Sequence, residues 1–135
     1  MKNRPNFSGV WCADFRRSKL EIAAPKSTVI QIDHNEPEFL LTRTHEGEDT
    51  KDTISLHLST DGKECVYHKG PLEIRSVCVW EGDSLLFTSR IMSGQSQAEN
   101  IVWYALSPDG SEIVADETYN GPPKSYHNQW VLVRK

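Results

Sequence analysis

Short runs of alternating apolar and polar residues, each closed by a turn signal, recur about every ten residues along this chain. That rhythm limits its fold more than any other feature. A period of two places alternate side chains on opposite faces of an extended strand, whereas a helix needs apolar residues three and four apart. Ten such runs are read, beginning near Phe7, Ser27, Glu38, Thr50, Glu64, Leu72, Ser84, Ala98, Ser111 and Ser125. Short links between them leave no room for a parallel crossover, so the chain is expected to be all-β and built of hairpins. Sequential hairpins that leave no open edge favour a single up-and-down antiparallel β-barrel of about ten strands. Residues 1–135 are expected to form that one barrel domain, a length that supports a core of its own.

Three turns set the expected registers. Glu81-Gly82-Asp83-Ser84 reads as a two-residue loop with Gly82 left-handed. It pairs Trp80 with Leu85, Cys78 with Phe87, Ser76 with Ser89 and Ile74 with Ile91, and it turns Glu73, Arg75 and Arg90 outward. Ser107-Pro108-Asp109-Gly110-Ser111 reads as a type I turn with a glycine bulge, pairing Ala105 with Ile113, Trp103 with Ala115 and Ile101 with Glu117. The same chemistry at Asp61-Gly62 is expected to close a hairpin in which Ile54, Leu56 and Leu58 share a face with Val66. These registers place Cys65 outward opposite Arg75 and Cys78 inward beside Phe87. The irregular segment Phe15 to Lys26 could form a helical turn from Leu20 to Ala24, capped by Ser18 and ended by Pro25, either as a lid or as a plain connector.

Composition narrows the function classes. The net charge is −4 and the basic residues form no stripe, which argues against nucleic acid as a partner. No apolar run approaches the roughly 20 residues of a membrane-spanning helix. The polar start, Met1 to Phe7, lacks the apolar centre of a signal peptide, so a cytoplasmic location is expected if the chain is complete. The three cysteines contain no C-x-x-C pair and the five histidines lack metal-ligand spacing, so no metal and no cofactor are expected. Were the barrel a haem carrier, His68 and His127 are the nominated axial ligands; otherwise both lie on the surface. No serine sits in a nucleophile elbow and no glycine loop is placed to cradle a phosphate.

The run Phe7-Ser8-Gly9-Val10-Trp11 resembles the Gly-x-Trp opening of the calycins, the superfamily of lipocalins and fatty-acid-binding proteins. Ser18-Lys19, the Asp-Gly turns and the final Val131-Leu132-Val133-Arg134 are similar to a group of bacterial lipocalin-like proteins. The resemblance implies that Trp11 plugs one barrel end and that Arg134, from a last strand lying beside the first, packs across it. It does not imply a fatty-acid ligand. Asn128-Gln129-Trp130-Val131 stands where fatty-acid-binding proteins carry an Arg-x-Tyr pair, and no lipocalin-type Thr-Asp-Tyr turn is present.

Glu117, on an otherwise apolar strand face, needs a partner, a ligand or a bound proton. Arg43 shares a face with Phe39 and Leu41 and could fork onto a ligand carboxylate, pair with Glu117, or point to water. Arg75 and Arg90, directly opposite each other, could hold an anion or simply diverge into solvent. The expected function is binding of a small, largely hydrophobic molecule, with Arg43, Trp103, Glu117, Tyr119, Tyr126 and Asn128 as the candidate ligand contacts. The alternatives are a barrel-cavity enzyme of the isomerase, cyclase or decarboxylase kind, using Glu117 with Arg43, and a filled structural barrel. The registers keep the cysteines apart, so the denatured, unreduced protein should titrate with three thiols; a lower count contradicts them.

Overall fold

The computed structural model describes residues 4–135. Ten strands follow one another: β1 (Gly9–Ala13), β2 (Ser27–Asn35), β3 (Glu38–Glu46), β4 (Lys51–Ser59), β5 (Cys65–Lys69), β6 (Leu72–Glu81), β7 (Ser84–Ser93), β8 (Ser96–Leu106), β9 (Glu112–Asn120) and β10 (Tyr126–Arg134). All pair antiparallel in the order β4-β3-β2-β1-β10-β9-β8-β7-β6-β5, a nearly closed up-and-down barrel. The last strand returns beside the first, as expected, through Trp11↔Arg134, Cys12↔Val133 and Ala13↔Leu132. The sheet's remaining seam lies between β4 and β5, the one consecutive pair without a ladder.

The β6–β7 hairpin has the expected register throughout, with Gly82 at φ +64°. At the β8–β9 turn the register differs by one residue. Tyr104 faces Ala115, Val102 faces Glu117, and Trp103 faces Asp116. The Asp109 carboxylate accepts hydrogen bonds from the Ser111 backbone N–H at 3.0 Å and from the Ser111 hydroxyl at 2.7 Å. It thereby holds Ser111 inside the loop instead of releasing it to the strand. The glycine-bearing turn at Asp61-Gly62 forms locally, with Gly62 at φ +87°, yet it closes no hairpin. Gly62 N–H donates to Cys78 O on β6, and Asp61 bridges Val79, so the chain crosses from β4 to β6. Consequently β5 forms its ladder only with β6: Cys65 pairs with Ser76 and turns toward the core, while Val66 lies outside opposite Arg75. This reverses the orientations expected for both residues. Cys12, Cys65 and Cys78 are free, and Cys78 is buried.

Leu20 to Ala24 forms no helical turn. After a tight turn at Asp14 to Ser18, the chain rejoins β10 through paired bonds between Lys19 and Gln129, at 2.7 and 2.8 Å. Ser18, expected as a cap, instead accepts from Val131 N–H through its hydroxyl at 2.9 Å. Backbone pairing along β10 satisfies more donors than an isolated short helix could. Phe15, Leu20 and Ile22 pack on the core from this segment.

One barrel end is sealed by aromatic side chains: Phe7, Trp11 and Phe39 are fully buried. The Trp11 indole donates to Phe7 O at 3.0 Å, and the Arg134 guanidinium lies 4.3 Å above its ring while donating to Ser8 O at 2.8 Å. Gly9, at φ +146°, leaves the space the guanidinium fills, since a Cβ there would fall 2.4 Å from Arg134 Nη1. Trp11→Ala should cost about 3–5 kcal/mol by opening a cavity. Arg134→Ala, losing a surface cation–π contact, should cost about 1 kcal/mol. Chemical denaturation of both variants checks the ratio, and equal losses would contradict the plug.

Candidate functional site

Away from the plug, the interior turns polar. Alternation carries Arg43 and His45 inward on β3 beyond Phe39 and Leu41, and it carries Glu117 inward on β9 beyond Ile113 and Ala115. Between these walls lies a cavity of about 130 Å³. Ile30, Leu41, Leu56, Phe87 and Leu132 are among its apolar lining, and Arg43, Asn100 and Glu117 among its polar lining.

Three protein donors converge on Glu117. Asn128 Nδ2 and Trp130 Nε1 donate to Oε1 at 3.0 and 2.9 Å, and Asn100 Nδ2 donates to Oε2 at 3.0 Å. They come from the two strands flanking β9, which is how the barrel accommodates a carboxylate on its inner face. Asn128 is 0% exposed and is held at both ends, its Oδ1 accepting from Glu21 N–H at 2.8 Å. Arg43 does not pair with Glu117; its Nη2 donates to Asp52 on the neighbouring β4 at 2.8 Å. The His45 ring stacks on Trp130 at 5.7 Å and bonds Thr28 Oγ1 through Nδ1 at 2.7 Å. Among the described residues, two buried side-chain polar atoms make no hydrogen bond, Arg43 Nε and Asn100 Oδ1.

The structure therefore brings Arg43 and Glu117 to the lining of one cavity, with Asn128 bonded to Glu117 behind it. Tyr119 and Tyr126 stack on each other at 4.8 Å, at the Asn120–Tyr126 end of the β9–β10 hairpin, and neither lines the cavity. Trp103 is not inward; at 39% exposed it lies on the outer face, where the register found for β8 puts it, and Tyr104 takes the inner position. His68 and His127 are surface residues facing Glu73 and Asp116, so neither is placed to ligate anything inside the barrel. Arg75 is neutralised by Glu73 and Glu64, at 3.0 and 2.9 Å, which removes the anion site considered for it with Arg90. Sequence reading missed His45, Asn100 and Tyr104. His45 was legible, since it continues the Phe39, Leu41, Arg43 face; the other two required the β8–β9 register.

Burial first, and the Arg43 charge second, push the His45 imidazole down from 6.5 to about 4. The unfolded chain thus takes up this proton between pH 6.5 and 4 while the folded chain does not. The stability present above pH 6.5 is lost as pH falls toward 4, by about 3 kcal/mol at roughly 1.4 kcal/mol per pH unit. Urea midpoints of the parent should fall across that window, and those of His45→Gln should fall less. An NMR titration of the His45 ring centred near 6.5 would contradict this.

No protein-family model matches the sequence, and no curated protein matches it significantly. Solved structures do match in fold. The secretory abundant heat soluble protein 4 of Ramazzottius varieornatus superposes with a TM-score of 0.63 at 15% identity, over 100% of both chains. A second secretory abundant heat soluble protein of that organism gives 0.61 at 11% identity, over 99% of this chain and 98% of the other. The zebrafish ileal bile acid-binding protein, complexed with cholic acid, gives 0.60 at 17% identity, over 96% and 98%. These organisms lend no support to the bacterial part of the resemblance. With its near-closed ladder of ten strands and its Trp11–Arg134 plug, the chain has the calycin-like barrel fold.

Proposed function

We propose that the barrel binds a small, largely apolar molecule in its interior. The observation that carries this is the cavity of about 130 Å³, lined by apolar side chains together with a few oriented polar groups. A filled structural barrel would close such a space, because a void forfeits dispersion contacts and costs stability. A dry cavity of about 150 Å³ accommodates benzene, so this one matches a single ring or a short alkyl body. The zebrafish barrel complexed with cholic acid supports a ligand-carrying use of the fold. A ligand of steroid bulk would require the walls of this cavity to move apart. The acid–base alternative draws no support from the geometry: Glu117 is occupied by three protein donors and Arg43 by Asp52.

Filling the space tests the proposal. Ala115 is buried and lines the cavity, so Ala115→Leu should occupy part of it with little change in backbone. Benzene at tenfold its Kd should stabilise the parent by about 1.4 kcal/mol, read as a rise in melting temperature. Ala115→Leu should show a much smaller rise. Equal rises in both proteins, or none in the parent, would remove the cavity as the binding site.

A further inference from the structure

We propose that this cavity takes an uncharged ligand bearing both a hydrogen-bond donor and an acceptor — an alcohol, a phenol or a primary amide on a small apolar body — and rejects carboxylates. The inference rests on the binding reading above and names the chemistry of its ligand.

The first support is the charge balance of the wall. Arg43 is the cationic side chain lining the cavity, and its Nη2 is already engaged by Asp52 at 2.8 Å, a carboxylate that Lys69 also approaches at 3.9 Å. Glu117 adds an acidic group whose partners, Asn100, Asn128 and Trp130, are all neutral. His45 is uncharged at neutral pH, being held down at about 4. Burial pushes the Tyr104 hydroxyl up, so it too is neutral. A ligand carboxylate would meet the Glu117 carboxylate in a low-dielectric interior where like charges repel strongly, and the Arg43 group that could answer it is already engaged by Asp52.

The second support is the hydrogen-bonding capacity left over. Asn100 must turn its Nδ2 toward the Glu117 carboxylate, which fixes the amide and leaves Oδ1 as an unfilled acceptor. Arg43 Nε–H is an unfilled donor on a residue lining the same cavity. The Tyr104 hydroxyl belongs to a buried residue lining the same cavity and can act as donor or acceptor. A carboxylate could only accept and an ammonium could only donate. A hydroxyl or primary amide does both, and leaves fewer buried polar groups unmatched.

The experiment compares four ligands sharing one ring: benzyl alcohol, benzamide, benzoate and benzylamine. Each is titrated at pH 7 against the protein, with the Trp130 Nε1–H resonance as reporter, since that group bonds Glu117 beside the cavity. Benzyl alcohol and benzamide should bind at least tenfold more tightly than benzoate and benzylamine. Asp52 is 58% exposed, so Asp52→Asn should fold, and by unbalancing Arg43 it should tighten benzoate at least fivefold while moving benzamide less than twofold. If benzoate or benzylamine binds the parent as tightly as benzamide, the inference is overturned while interior binding stands. If Asp52→Asn leaves benzoate unchanged, the charge argument is overturned. If none of the four moves the reporter up to its solubility, the binding reading falls and the inference with it.

Discussion

Closure between β1 and β10 is the constraint on which the rest depends. Each inner side chain is buried only because an opposite wall exists, and a flat ten-stranded sheet would present that whole face to water. The closing ladder is short, with three paired residues, and it is reinforced from both sides. Lys19 and Gln129 exchange backbone bonds after the Asp14–Ser18 turn, and Lys135 N–H donates to Val10 O at 2.8 Å. Arg134 then ties β10 to the indole of β1 and to Ser8, so a single side chain couples closure to the plug. The seam is left between β4 and β5, where Leu58, fully buried, is the residue common to the interior cavity and the surface crevice along the gap.

Within that closed wall, polar groups survive because neighbouring strands supply their partners. An unpaired buried carboxylate would cost several kcal/mol. At Glu117 the cost is offset by donors on β8 and β10, the two strands that closure places against β9. The same logic operates at the plugged end. The inward His34 accepts from Phe7 N–H at 3.2 Å, and its other nitrogen bonds Glu36, which also receives Thr60 and Trp80. One end is therefore an aromatic seal pinned by a polar knot, and the other is a cavity whose polar atoms are only partly used. That asymmetry is what makes the second region the site.

How much of this could be read from residues depended on whether the deciding interaction was local. The Gly82-Asp83 loop sets its register within four residues, because only a residue tolerating φ > 0 suits that turn. The loop after Ser107 has similar composition but is decided by where the Asp109 carboxylate spends its hydrogen bonds. One additional residue in the loop turned Trp103 outward and brought in Tyr104. At Asp61-Gly62 the turn itself is right and its consequence is not, because a local turn cannot specify which strand receives the chain that leaves it. Ser18 and Glu21 find their partners on β10, more than a hundred residues away. No local pattern in Phe15 to Lys26 carries that information.

The calycin resemblance implied the meeting of Trp11 with Arg134. Alternation and turn chemistry by themselves indicated the strand count, the antiparallel order, the inward placement of Cys78 and the apolar strand face that carries Glu117. These last follow from the period of two and from the need of an amphipathic sheet to bury one face. Only the tertiary structure decided that the seam falls between β4 and β5, that Arg43 answers Asp52 instead of Glu117, and that a cavity remains between them. Those outcomes depend on side chains from strands distant in sequence competing for the same hydrogen bonds and the same volume. That competition exists only once the barrel has closed.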